Sequence, residues 1–152
     1  ILSRQELPNC QGTDVNFDSG VGRGAYFVMN EGSNHDITLI GTGSEVSLAF
    51  EVAALLKKQD LKIAIISMPS WNLFESQPAE YRQSLLGKHS GLRVSLEAAS
   101  TIGWHRYIHD GLAIGVDRFG ASGTPAQLAS KLGFTSKAIH DKIMAFFYRS
   151  KL

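Results

Sequence analysis

Asp36-Ile37-Thr38-Leu39-Ile40-Gly41-Thr42-Gly43-Ser44-Glu45-Val46 decides the fold. Its apolar run stops at two glycines, and a Ser-Glu start leads into a long amphipathic segment, so strand, tight turn and helix follow one another within the stretch. This is the opening half of a βαβ unit. Parallel strands need such a crossover, and the later apolar runs are placed by reference to it. The helix that follows carries Val46, Ala49, Phe50, Ala53, Ala54 and Leu56 at helical spacing and ends in Lys57-Lys58-Gln59-Asp60, with Ser44 as its expected N-cap.

Outward from this unit, Ile63-Ala64-Ile65-Ile66 is a continuous apolar run, the pattern of a strand buried on both faces. Pro78–Leu86 predicts a helix with Pro at its first turn, Leu92–Glu97 a strand, Ile102–His109 a short helix and Leu112–Val116 the last strand. Thr124-Pro125 caps a further helix that Gly133 closes, and Thr135 or Ser136 starts a final one. Gly24–Met29 precedes the central unit as a first strand. Its connection to the next strand is too short for a crossover helix, so if those two strands pair they pair antiparallel, with the first at an edge. The expected architecture is a three-layer α/β/α sandwich on a five-stranded mixed sheet, four strands parallel and one an antiparallel edge. Residues 1–23 lack periodicity and are rich in turn formers. They read as the end of a preceding domain plus a linker, leaving 24–152 as the domain proper. The opening Ile1-Leu2-Ser3, with no Met before it, has the look of a strand end cut from something larger.

At 152 residues the chain suits one ordinary domain with a sizeable core, and its 43% hydrophobic and 19% charged residues are those of a soluble globular protein. A net charge of +1 favours neither nucleic acid nor an anionic membrane surface, and no apolar run reaches the length of a membrane span. The single Cys10 fits a reducing, cytoplasmic setting, a plastid or another organelle remaining open if a transit peptide lies upstream.

Several stretches invite a chemical reading. Gly41-Thr42-Gly43-Ser44-Glu45-Val46 has two of the three glycines of a dinucleotide fingerprint, but Val46 takes the third place and Ser67, not an acid, ends the next strand. Glu45 already supplies the negative charge that a helix N-terminus favours and would repel a phosphate. A structural turn is the preferred reading. Trp71 and Phe74 follow a strand end, where they cover a core edge or an interdomain contact. Glu97 closes a buried strand and needs hydrogen-bond partners, for which Ser100 or the following helix is at hand. His105 and His109 stand four apart, a spacing that could set two imidazoles on one helix face, yet a pair without a third ligand is more simply a pair of surface or interface histidines. Asp117 and Arg118 either orient each other or meet another domain. Arg4, just after Ile-Leu-Ser, can hold a phosphate bidentately or be a solvated arginine.

Taken in order, these residues resemble the C-terminal domain of the transketolase family. The carriers are Leu2-Ser3-Arg4-Gln5-Glu6-Leu7-Pro8, Gly24-Ala25-Tyr26, Gly41–Val46, Ser67-Met68-Pro69-Ser70-Trp71-Asn72-Leu73-Phe74, Tyr81-Arg82-Gln83-Ser84, Glu97-Ala98 with Gly103-Trp104-His105-Arg106-Tyr107, and Asp117-Arg118-Phe119-Gly120-Ala121-Ser122. Small departures are Gly41 where Ala is common, Glu6 where Asn is common, and Gly123 where the family often has Ala.

The resemblance implies a homodimeric transferase dependent on thiamine diphosphate and a divalent cation (Mg or Ca), moving a two-carbon ketol unit between sugar phosphates in the pentose phosphate pathway. It implies that this chain is the last of three domains, supporting the upstream domains and the dimer, with Trp71, Phe74 and Trp104 in those contacts, and inactive alone. No catalytic, cofactor-binding or metal residue carries over, because the thiamine and metal motifs are absent. The one residue that does is Arg4, which resembles the family's ligand for the sugar phosphate. The alternatives are a regulatory anion- or nucleotide-binding module using Gly41–Ser44, and the last domain of a related thiamine enzyme such as dihydroxyacetone synthase.

Overall fold

The computed structural model describes residues 9–10, 12, 17–32, 34–87 and 91–149. Five strands form one sheet in the order β1-β3-β2-β4-β5: β1 Tyr26–Met29, β2 Ile37–Gly41, β3 Ile63–Ser67, β4 Leu92–Leu96 and β5 Leu112–Ile114. The helices are α1 Ser44–Leu56, α2 Trp71–Glu75, α3 Ala79–Leu86, α4 His105–Ile108, α5 Pro125–Leu132 and α6 Ser136–Arg149. β2 lies between β3 and β4 and runs parallel to both, with Leu39 opposite Ile65 on one side and Val94 on the other. Every residue of β2 and β3 is buried. This is why β3 reads as a continuous apolar run as far as Ile66 and β2 as one broken only by the buried Thr38: neither has a wet face.

Alternation along the strands divides the interior in two. Ile37, Leu39, Ile63, Ile65, Val94, Leu96 and Ile114 face α1 and α6, which contribute Val46, Ala49, Val52, Ala53, Leu56, Ile139, Ile143 and Phe147. Ile40 and Ile66 point the other way, onto Met68, Phe74, Leu85, Trp104, Tyr107 and Ile108 from the α2, α3 and α4 side. Full burial of one such aliphatic side chain contributes about 1.5–3 kcal/mol, so the two cores together set the three layers. Within α1 the buried stripe includes Val52, whereas Ala54, expected on that stripe, is exposed.

The antiparallel edge strand is present, but its neighbour is β3 and not β2. Phe27 stands opposite Ile66 and Tyr26 opposite Ser67, with an irregularity between Phe27 and Met29. Both edges of β2 are occupied by parallel strands, so β1 takes the remaining edge of β3. Side chains fix the crossing: Glu31 accepts from the Ile63 amide at 3.0 Å and pairs with Lys57, while Asp36 accepts from the Lys62 amide at 2.8 Å. Gly24 makes the approach to β1 possible. Its φ of 78° suits glycine, and a Cβ there would run into the backbone of Ser70 and Phe74.

Several boundaries differ from the sequence expectation, and one helix is new. β4 and β5 stop at Leu96 and Ile114, because Glu97 N–H bonds the Ile114 carbonyl and Val116 N–H the Ala99 carbonyl, knitting the two strand ends into a loop pair. α4 begins only at His105, since Gly103 takes φ 89° and a Cβ there would press on the Trp71 ring at 2.7 Å. α2 is an additional helix, started where Ser70 Oγ accepts from the Leu73 amide at 3.3 Å.

Candidate functional site

The four parallel strands end on one edge, and the chain leaves β2 and β4 toward opposite faces: α1 follows β2 on one, α4 follows β4 on the other. Strand order reverses between these two, which is where doubly wound sheets open a crevice. Gly41-Thr42-Gly43 forms one lip and Glu97 the other. Thr42 Oγ1 donates to Glu97 Oε2 at 3.4 Å across it, and the Trp104 side chain also hydrogen-bonds Glu97. Ser44 does not cap α1. The N-cap is Gly43, at φ 51°, and Ser44 Oγ instead donates to Glu45 Oε1 at 2.6 Å.

Both carboxyl groups are pushed up from the usual carboxylate range. Burial is the main cause for each, and the charge of Glu97 adds to the effect at Glu45. Glu45 is only 8% exposed, at the first turn of α1, the place a phosphate would need. The crevice opens into a cavity of about 490 Å³ lined by Ser44, Glu45, Leu48, Val116, Arg118 and Leu128 among others. A carboxyl pair in a half-apolar cleft can hold a proton or accept hydrogen bonds, but it offers a phosphate no cradle.

The loop after β5 is tied down from both ends. Asp117 accepts from Ser100 Oγ at 2.9 Å, and from the Thr101 amide and hydroxyl at 2.8 Å each, while Arg118 Nη2 donates to the Lys131 carbonyl at 2.8 Å. Asp117 and Arg118 therefore hold separate neighbours and do not orient each other. His105 and His109 are both exposed, but His109 lies beyond the end of α4 with φ 52°, so the two do not share a helix face. Arg4 lies outside the described residues.

The aromatic residues gather inside. Trp71, Phe74, Trp104 and Tyr107 pack with ring centroids 5.3–6.1 Å apart. Phe74 is 2% and Trp104 1% exposed. These two build the domain's own second core and are not available as contacts to another domain. Only Trp71 keeps a partly open face.

A family model described as the transketolase-like TK C-terminal domain matches residues 24–135. The chain belongs to this transketolase C-terminal-domain family. Transketolase 10 of Craterostigma plantagineum is 41% identical over 142 residues, covering 91% of this chain and 20% of that protein. The transketolase of Staphylococcus aureus (strain MW2) is 39% identical over 146 residues, 95% of this chain and 22% of the relative. A crystal structure of transketolase from Pichia stipitis in complex with sedoheptulose-7-phosphate superposes with a TM-score of 0.86 at 31% identity, over 97% of this chain and 21% of that one. The chain thus spans about a fifth of the length of the curated relatives it matches.

Read as a transketolase C-terminal domain, most of the motif blocks have structural work. Ser67–Phe74, Tyr81 and Gly103–Tyr107 build the second core and its rim, with Tyr81 Oη donating to the Ala25 carbonyl at 2.7 Å. What the sequence did not reveal is the arginine network beside them. Glu75 takes hydrogen bonds from Arg82 and Arg106, and Arg93 reaches three main-chain carbonyls. The only signal was Arg93 at an inward position of a strand, where an ionised group needs several partners.

Proposed function

We propose that this chain is the C-terminal domain of a transketolase, whose complete polypeptide transfers a two-carbon ketol unit between sugar phosphates in the pentose phosphate pathway. The observation that carries the proposal is likeness over more than nine-tenths of the chain to proteins named transketolase, at 39–41% identity. A neighbour at 31% identity bound to sedoheptulose-7-phosphate supports the substrate class. In this reading residues 1–23 end the preceding domain and link it to 24–152. Arg4 presents its guanidinium to the sugar phosphate, where two parallel N–H groups match two phosphate oxygens. The remainder holds the upstream domains in place within a cytoplasmic or organellar homodimer.

Thiamine diphosphate and a divalent cation would supply the carbanion chemistry of the complete enzyme. The residues here do not fit that group. Among the described residues no three His, Cys, Asp or Glu side chains gather where they could hold a metal ion, and no thiamine motif is in the sequence. The cofactor is accordingly assigned to segments other than this chain.

The test is ketol transfer between sugar phosphates, assayed with the complete polypeptide and with the 152-residue chain alone. Turnover by the first and silence from the second are expected. An inactive complete polypeptide, supplied with thiamine diphosphate and a divalent cation, would overturn the activity. Turnover by the chain alone would overturn the division of labour.

A further inference from the structure

A second cavity, of about 310 Å³, opens far from the glycine turn, at the rim of the second core. Glu75, Arg82, Arg93, Arg106, Tyr107 and His109 are on its wall. Three guanidinium groups share this wall with a single carboxylate, and two of them, Arg82 and Arg106, pair with it. Glu75 accepts from Arg82 Nη1 at 3.3 Å and from Arg106 Nη2 at 3.1 Å, and Arg106 Nε lies 3.1 Å from its other oxygen as an ion pair. The neighbouring Tyr107 hydroxyl has its pKa pushed up to about 12 by burial and by Glu75.

Arg93 spends its charge on the carbonyls of Leu86, Gly87 and Tyr107, at 2.6–2.9 Å, at the ends of α3 and α4. Arg82 is left with a surplus. Its Nε is buried and has no hydrogen-bond partner. Beside it His109 stays in a positive-φ conformation that a non-glycine residue seldom adopts, a form of strain that collects at binding sites. The cavity wall therefore carries three guanidinium groups against one carboxylate, with one buried N–H that has no partner.

We propose that this cavity binds a small oxyanion, a phosphate group either free or as a monoester of a small molecule, held between Arg82 and Arg106. Glu75 occupies the arginines when the anion is absent and sets a ceiling on its affinity. Arg82 and Arg106 converge on the same Glu75 oxygen, so their guanidinium groups lie close enough to share one small oxyanion. The inference is independent of the transketolase assignment, because it uses none of the residues that the assignment places at a substrate.

The experiment is a titration of the full 152-residue chain with inorganic phosphate and with ribose 5-phosphate at constant ionic strength. It is followed by calorimetry and by the arginine Nε–H resonances in ¹⁵N NMR. Saturable binding in the millimolar range is expected, with the Arg82 Nε–H resonance displaced. A monoester that binds more than fivefold tighter than inorganic phosphate assigns the site to monoesters, and equal affinities assign it to phosphate itself; both outcomes support the site. Arg82→Gln should weaken binding at least tenfold, and Glu75→Gln should tighten it about threefold by releasing both arginines. Non-saturable uptake, unchanged affinity in Arg82→Gln, or displacement only of the Gly41–Ser44 amides would overturn the proposal. Should Arg82→Gln fail to fold, an Arg82 Nε–H resonance unmoved by phosphate in the unaltered chain overturns it alone.

Discussion

Trp71 and Trp104 meet edge to face, their ring centroids 5.3 Å apart and their planes at 85°. That contact closes the second core at the carboxyl edge of the sheet and brings the Trp104 side chain within hydrogen-bonding reach of Glu97, whose other partner is Thr42. One indole thus ties the packing of α2 and α4 to the electrostatics of the crevice.

Trp104→Ala should destabilise the chain by about 3–5 kcal/mol, the usual cost of emptying a fully buried aromatic site. Trp104→Phe retains most of the ring packing and should cost clearly less. It also removes a donor that favours ionised Glu97, so the Glu97 pKa should rise further. Urea unfolding measures the first effect, and NMR titration of the Glu97 side chain the second.

Stability should depend on the Glu45 carboxyl in a definite direction. Its folded pKa lies above the unfolded value, so the folded state binds the proton more tightly. The stabilisation this gives is fully present below the unfolded pKa and is lost as pH rises through the folded pKa. Glu45→Gln keeps an acceptor for Ser44 Oγ and removes the titration. The melting temperature of this variant relative to the parent should be higher at neutral pH than at pH 4, in paired thermal melts. A constant offset across that range would show that Glu45 carries no such penalty.

Thr124 and Gln127 form a reciprocal capping box at the start of α5, a helix with no buried residue. Thr124→Ala should cost about 1 kcal/mol locally. Because α5 contributes little to either core, that loss should appear as faster amide exchange in α5, with the global melting temperature nearly unchanged.

How far the sequence could be read follows from which interactions are periodic. β2 and β3 were legible because burial on both faces leaves almost nothing but apolar residues, Thr38 and the terminal Ser67 excepted, and α5 because Thr124, Pro125 and Gly133 mark its ends. The partner of β1 was not legible. Edge choice depends on which strand has a free side, and that is decided by β4, more than fifty residues later. α2 was hidden because a single turn has no period to detect; its one sign was Ser70 three residues before Leu73. Phe74 and Trp104, expected at an interface, turned inward, since aromatic residues carry the same pattern in a core rim as in a contact surface. The acidic character of the crevice was legible in Glu45 and Glu97 one at a time. Their proximity, like the gathering of Glu75, Arg82, Arg93 and Arg106, is a product of the fold.

We propose that Arg4 is the residue of this chain that meets substrate and that the glycine turn serves as scaffold. The most direct measurement is kcat/KM of the complete enzyme for a phosphorylated and an unphosphorylated ketose donor, in the parent, Arg4→Ala and Gly43→Val forms. A lost charge-assisted phosphate contact is worth about 1.5–3 kcal/mol, so Arg4→Ala should lower kcat/KM about ten- to a hundredfold for the phosphorylated donor and leave the unphosphorylated one nearly unchanged. Gly43→Val should affect both donors alike, through folding. Equal losses for the two donors in Arg4→Ala, or selective loss for the phosphorylated donor in Gly43→Val, would contradict the account.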